Sequence, residues 1–507
     1  MALHILFTWL SLSLPLLLLL LLSVKNFNDK KKNLLPGPPS LPIIGNLLQL
    51  GHLPHQSLWK LSKRYGPVML IRLGSIPTVV VSSPESAREV LKTHDLDCCS
   101  RPRLVGMGCL SYDYLDMAFV EYGDYWRELR KLYVLELYSA KRVQSFRYVR
   151  EEEVGSMIES IAMSAKSRTP VNLSEKFMTL TANITCRVAF GKAIQETEFK
   201  EGSFMNMIHE AVAMLGSFSA SDLFPRFGWI VDRFTGLHSR LEKSFRNLDV
   251  FYEKVIEEHR NATKSHEQED IVDLLLKMVR DQTELAGIRL KEDNIKAILM
   301  DIFLAGVDTG AVVMDWTIAE LTKNPRAMQK AQEEIRSCVG NKKWADEDDL
   351  NALKYLKLVL KETMRLHPPL VLLIPRETMG HFKLFGYDVD LKSRVQVNVW
   401  GIGRDPSLWE RPDEFVPERF EDSPIDYKGN HFELLPFGAG RRGCPGIAMA
   451  MPTIELALAN VLHSFDWELP EGMTERDVSM EEGAGLAVFK KVSLTLLPVK
   501  ASHETNA

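Results

Sequence analysis

Residues 436–446 of this 507-residue chain read PFGAGRRGCPG, one cysteine set among four glycines and two arginines. No other stretch restricts the architecture as much. Taken literally it contains Gly-x-Gly-x-x-Gly at Gly438, Gly440 and Gly443, the dinucleotide fingerprint. That fingerprint needs a strand before it and an acidic residue about 20 positions later at the end of a second strand. Here Pro436 precedes it, and the chain runs on in helical rhythm from about 446 to 465, which leaves no βαβ unit. A cysteine by itself is most simply a small buried hydrophobe. The glycines and arginines favour another role, that of a thiolate metal ligand. Glycine lets the backbone pass close to a flat cofactor. Free N–H groups of the loop and the next helix can point at the sulfur and lower its pKa. Arg442, two residues before Cys444, is placed to meet an anionic group on the cofactor's edge.

The other end of the chain sets a second constraint. Residues 3–24 contain no Asp, Glu, Lys or Arg, and 16–22 is an unbroken leucine run. As a helix this stretch is about 33 Å long, enough to cross a hydrocarbon core of roughly 30 Å. A cleaved signal peptide competes with that reading, but its apolar region is usually about 7–15 residues long. Lys25, Lys30, Lys31 and Lys32 follow, a basic cluster that favours the cytosolic side. Pro36-Gly37-Pro38-Pro39 comes next and cannot be helical, so it reads as a stiff spacer. The expected organisation is a membrane anchor (1–24), a basic stop-transfer and Pro-rich hinge (25–45) and one catalytic body (46–507).

Composition narrows the body. With 62 Lys+Arg against 67 Asp+Glu the formal charge is −5, which argues against a nucleic-acid-binding protein. Six cysteines without any Cys-x-x-Cys spacing make neither a disulfide framework nor a paired-cysteine zinc site, and they suit a reducing compartment. Residues 65–83 alternate like a hairpin, and from 84 to about 324 most segments carry helical periodicity. The longest helix runs from near Lys291 to Asn324-Pro325; others cover 325–339 and 353–365. Strand-like stretches follow at 371–374, 381–384 and 394–399. The expected fold class is mainly α with a minor β portion, as a single catalytic domain behind one N-terminal transmembrane helix.

Phe437-x-x-Gly440-x-Arg442-x-Cys444-x-Gly446 resembles the haem-binding signature of the cytochrome P450 monooxygenases. Further family motifs occur in the expected order. Glu362-x-x-Arg365 resembles the paired residues of the family's K helix, which with Arg419 in Pro417-Glu418-Arg419-Phe420 would form a structural ion-pair network behind the haem. Trp126-x-x-x-Arg130 is similar to the motif that holds haem propionates, and Arg376 aligns with a basic residue reaching a propionate from the β region. Ala305-Gly306-Val307-Asp308-Thr309 lies midway along the longest helix, where small residues admit a cofactor and an acid beside an alcohol can relay protons. The family usually has Thr or Ser after the threonine; this chain has Gly310. The leader, the hinge and the cysteine loop look most like the large plant microsomal group serving specialised metabolism.

The resemblance implies haem b with Cys444 as the axial iron ligand, and Asp308 and Thr309 as catalytic residues. Phe437, Trp126, Arg130, Arg376 and Arg442 would bind the cofactor. It also implies an NADPH-cytochrome P450 reductase as electron donor, a hydrophobic small-molecule substrate and residence in the endoplasmic reticulum membrane with a cytosolic body. A rearranging or dehydrating haem-thiolate enzyme that needs no reductase is the alternative. Residues 101–121, 300–304, 371–373 and 483–486 are the expected pocket walls, with Leu372 and Leu486 prominent.

Overall fold

A computed structural model describes residues 33–194, 201–217, 219–261 and 269–501. The expected anchor and its lysines lie outside the described residues. The body is mainly helical, with a small sheet beside the helices. Strands β1 (Val68–Leu73) and β2 (Ile76–Val81) form the hairpin expected at 65–83, with Leu73 opposite Ile76. A two-residue connection that tight calls for positive φ, and Gly74 supplies it at +62°. Strands β3 (Arg376–Glu377) and β4 (Arg394–Val397) complete the order β1-β2-β4-β3, with β4 parallel to β2.

The Pro-rich segment is fastened to this sheet. The Leu70 N–H donates to Pro36 O at 2.8 Å, and Asn46 Nδ2 donates to Pro39 O at 3.1 Å. A Cβ on Gly37 would stand only 2.0 Å from Leu70 O, so glycine is what permits the approach. The stretch read as a spacer thus runs along the sheet edge from Pro36 onward.

Six helices build the site: α1 (Asp124–Leu132), α2 (Leu173–Phe190), α3 (Glu292–Gly306), α4 (Asp308–Lys323), α5 (Lys354–Leu366) and α6 (Ile447–Ser464). Together α3 and α4 are the long helix expected from Lys291 to Asn324, interrupted at Val307. Its side chains are buried all round from Asn294 to Leu304 and from Gly310 to Leu321, the pattern of a core helix. This rod and α6 are the two described helices long and apolar enough to cross a membrane, and both are mostly buried in the body. Helix α2 packs along both halves of the rod, and Phe190 stacks on Phe303 at 4.7 Å between ring centres. The helix Pro325–Val339 begins where the sequence places it, because Pro325 suits a first helical turn. Residues 371–374, expected as a strand, form a turn in which Leu373 has φ +51°. Pro368 and Pro369 just before it have no N–H to give a neighbouring strand.

Candidate active site

The cysteine loop is shaped by positive φ at Gly438 (+67°) and Gly440 (+70°). At Gly440 a Cβ would lie 2.1 Å from Leu91 O, so no larger residue fits. The Cys444 N–H donates to Phe437 O at 3.0 Å, which closes the loop on itself. Burial pushes the Cys444 thiol pKa up; the N–H groups of Gly446 and Ile447, where α6 begins, and the nearby Arg130 charge oppose that shift. These are the groups that would hold a thiolate.

Above the loop is a cavity of about 280 Å³ lined by Cys444, Phe437, Arg442, Arg130, Arg376, Ala305, Gly306 and Thr309. Of the six cysteines, Cys444 alone lines it. Ala305 and Gly306, in the middle of an otherwise buried helix, both border the cavity. Thr309 Oγ1 donates to Ala305 O at 2.7 Å. Asp308 is buried beside it but does not line the cavity; its Oδ1 has no partner, and burial raises its pKa to about 6.

The cavity's rim is basic. Arg376 pairs with Asp95 at 2.6 Å and donates to Ala439 O at 2.9 Å. Arg442 donates to Cys99 O, Met117 O and Val120 O and lies 4.5 Å over the Trp126 ring. Backbone carbonyls therefore hold most of its guanidinium, where the sequence suggested a group free for an anion. Burial depresses its pKa to about 9. Trp126 Nε1 and Arg130 Nη1 are buried donors with no partner. A buried donor left unpaired costs about 1–3 kcal/mol, so two of them beside a cluster of guanidiniums fit an anionic cofactor edge. The residues present accordingly fit haem: the basic rim would suit its anionic edge and Cys444 would ligate its iron.

Glu362 and Arg365, expected as a pair, are fully buried on α5 and joined at 2.7 and 2.8 Å. Glu362 Oε1 also accepts from Arg419 Nε at 2.9 Å and the Val416 N–H at 2.8 Å. Arg365 donates onward to Pro412 O and Glu414 O. One carboxylate and two guanidiniums thus tie α5 to the irregular chain from 403 to 419.

Arg101, Met117, Ala118, Asp301, Ile302 and Leu373 line the cavity from stretches expected as its walls, whereas Thr181 and Thr185 carried no sequence signal. Arg101 donates to Ala118 O, Ile374 O and Pro375 O. Thr181 and Thr185 reach in from α2, a helix interior with no motif. Asp301 lines the cavity beside buried Asp116 and accepts from the Met117 N–H and the Tyr133 hydroxyl, which ties the 111–123 loop to α3. Met117, Ala118, Ile302, Leu370 and Leu373 form apolar walls. Leu372 and Leu486, expected there, do not line this cavity: Leu372 packs with Met69 and Leu73, and Leu486 against the main helical core. A larger crevice of about 1130 Å³ shares no lining residue with the cavity. Its charges are largely paired, as in His367–Glu320 and Lys491–Glu481 within it and Glu482 with His55 beside it, and it holds no cysteine.

A lone cysteine in a glycine loop, facing a small-residue helix break under a basic rim, defines a haem-thiolate protein. The chain belongs to the cytochrome P450 family, whose model, described as Cytochrome P450, matches residues 35–496. It is 51% identical to Cytochrome P450 71B10 of Arabidopsis thaliana over 97% of this chain and 99% of that protein. It is 54% identical to Cytochrome P450 71B9 of the same plant, over 91% and 92%. A zebra fish cytochrome P450 solved with progesterone superposes with a TM-score of 0.75 at 27% identity, over 88% of this chain and 99% of that one. The protein is a P450 monooxygenase with cysteine-ligated haem, and its family works with a redox partner on small molecules.

Proposed function

We propose that this chain inserts one oxygen atom of O2 into a hydrophobic small molecule of plant specialised metabolism, with electrons from an NADPH-dependent reductase. The observation that carries this reading is the placement of Cys444 as the one cysteine on a cavity also lined by Arg130, whose Nη1 is unpaired, and by Arg442, which packs over the ring of Trp126. Haem bound there supplies dioxygen binding and the oxidising power that thiolate donation brings to O–O cleavage. The chain's own residues do the rest. Trp126 and Arg130, with their unpaired donors, would hold the propionates, Arg376 and Arg442 would add positive charge to the rim, and Phe437 would lie on the thiolate side. Thr309 spends its hydroxyl proton on Ala305 O, which turns its oxygen lone pairs toward the cavity as an acceptor. Asp308 has a pKa of about 6 and so carries a proton part of the time near neutral pH. Its buried Oδ1 has no hydrogen-bond partner, so that proton is not committed to a neighbouring side chain. Apolar walls from Met117, Ile302 and Leu373 select a hydrophobic substrate.

An exposed apolar face supports membrane residence at the endoplasmic reticulum, with 1–24 as single-pass anchor. Trp229, Val231 and Phe234 project from Gly228–Phe234, at 55%, 46% and 87% exposure. Leu41, Ile43 and Leu48 are exposed as well. Bonds from Ser75 to Leu223 O and from Gly74 to Ile44 O bring both groups to the β1–β2 turn. Contiguous apolar surface of this kind marks a contact with lipid or protein.

Replacing Cys444 with alanine tests the reading. Cys444→Ala should abolish both reductase-dependent turnover and the red-shifted absorption of the reduced carbon monoxide complex, while Cys98→Ala or Cys186→Ala keeps them. Retention of that absorption in Cys444→Ala would overturn the assignment.

A further inference from the structure

We infer that Asp116 and Asp301 hold a single proton between them, and that this buried acid pair positions the wall 117–119 over the cavity. The role of the wall rests on the hydrophobic substrate proposed above; the shared proton does not. Asp116 is fully buried, and Asp301 is 8% exposed where it lines the cavity. Among the described residues neither forms an ion pair. Asp301 accepts from the Met117 N–H at 2.8 Å and the Tyr133 hydroxyl at 2.7 Å, with the Ala118 N–H as a third donor. Those donors suit a carboxylate. Asp116 Oδ2 accepts from the Phe119 N–H at 2.7 Å, but its buried Oδ1 receives no donor, as expected of an oxygen that carries its own proton. The two carboxyls are hydrogen-bonded to each other. Burial and the Asp301 charge push the Asp116 pKa well above the usual carboxylate range, whereas the donors on Asp301 oppose its own rise. Two carboxyls sharing one dry site do not both ionise, and the one with fewer donors keeps the proton.

The groups around the pair leave that proton in place. Arg101 and Arg442 are the cations that face Asp116, and both guanidiniums are spent on carbonyls. The phenols of Tyr114, Tyr125, Tyr133, Tyr138 and Tyr252 face one carboxyl or the other, and burial keeps all five neutral. The wall needs a firm hold. Just before it Tyr112, Asp113 and Tyr114 have φ of +55°, +56° and +64°, a left-handed run that only surrounding contacts can sustain. The Tyr112 hydroxyl fastens one end of that run to Asp249 at 2.8 Å, and the acid pair fastens the other to α3. A single peptide then joins the pair to the basic rim. Met117 gives its N–H to Asp301 and takes Arg442 Nη1 on its carbonyl at 3.1 Å.

The test uses full-length protein loaded with haem, with loading checked by the carbon monoxide absorption. Infrared spectra are taken at a pH above the pKa of Asp222, Asp308 and Asp315 (about 6) and of Glu455 (about 7). The C=O stretch of a protonated carboxylic acid should persist there in the parent and vanish in Asp116→Asn. Hydrogen exchange at amides 117–119 reads the wall. The carboxamide in Asp116→Asn still donates to Asp301 and accepts from Phe119, so exchange should match the parent. Asp116→Leu keeps the shape without either group, and Asp301→Asn turns an amide toward three donors. Both should exchange faster by about tenfold or more, the factor a hydrogen bond to a charged group is worth. Binding of 1-phenylimidazole to the haem iron should weaken severalfold in those two variants and hold in Asp116→Asn. An acid band missing from the parent, or surviving in Asp116→Asn, overturns the shared proton. Asp116→Asn behaving like Asp116→Leu overturns the positioning, as does Asp301→Asn at the parent rate or fast exchange with unchanged probe affinity. If Asp301→Asn takes up no haem, the two Asp116 variants decide alone. A parent with no reductase-dependent turnover of hydrophobic compounds would instead sink the proposed function and leave the infrared and exchange results standing.

Discussion

Glu362→Gln removes one negative charge from a site where the carboxylate serves four donors: two from Arg365, one from Arg419 and the Val416 N–H. Glutamine keeps the shape but offers a single acceptor oxygen, and it turns an amide toward donors that need an acceptor. Two guanidiniums are then left without a counter-charge, Arg365 fully buried and Arg419 about 10% exposed. Breaking a buried pair on one side costs about 3–5 kcal/mol. For a 507-residue chain the entropy of unfolding is about 1.1 kcal/mol/K, so the midpoint of a cooperative transition should fall by roughly 4 °C. The damage should be local first. Arg365 binds Pro412 O and Glu414 O through the same guanidinium, so the chain from 403 to 419 loosens before the helical core. Thermal loss of the carbon monoxide absorption, measured beside far-ultraviolet circular dichroism, should show the haem signal lost at lower temperature than the helices. A midpoint within about 1 °C of the parent, with the two signals coincident, would refute the argument that this carboxylate pins the segment.

Thr309→Ala should leave NADPH consumption running while hydrogen peroxide replaces product; an unchanged product-to-NADPH ratio would mean the substrate organises proton delivery. Asp308 has a folded pKa raised by burial to about 6, so its contribution to stability is present below its unfolded value near 3.8 and is lost as pH rises through 6. Coupling should likewise decline between pH 6 and 8 as the protonated form is depleted, and Asp308→Asn should flatten that profile; a parent profile without a step near 6 would remove Asp308 from the relay. Deleting residues 1–24 should shift the protein toward the soluble fraction with its carbon monoxide absorption intact, and loss of haem on truncation would count against a separate anchor.

What could be read from the chain depended on how local its causes are. The hairpin at 65–83 and the helix Pro325–Val339 follow from neighbours in sequence, namely alternation, a turn glycine and a proline at the first helical position. The cysteine loop was legible for the same reason, since its glycines and Cys444 lie within eleven residues. The bond from the Thr181 hydroxyl to Val307 O was not, because its partners lie 126 positions apart. Burial of Asp116 and Asp301 against each other likewise needs two segments 185 positions apart, neither with a motif. The commitment of Arg442 to three carbonyls depends on where the 99–120 loop settles, which the arginine's own surroundings in sequence do not announce. Residues 371–374 show the reverse error: a β-branched apolar run suggests a strand, and the prolines before it deny the pairing.

The seam between Pro36 and β1 has a mechanical consequence. Because Leu70 grips Pro36 O, Asn46 grips Pro39 O and Gly37 admits no side chain, the chain leaves the body at Asn33 from a fixed compass point rather than through a swivel. Asn33 itself is moored, with its N–H on Asp388 Oδ2 at 3.1 Å and its Nδ2 on Gly386 O at 3.1 Å. Whatever immobilises the residues upstream therefore also sets the heading of the sheet, and through it the heading of the exposed face around Trp229 and Phe234. A glycine-serine insertion at that seam would leave every residue of the cavity untouched and still let the whole body yaw.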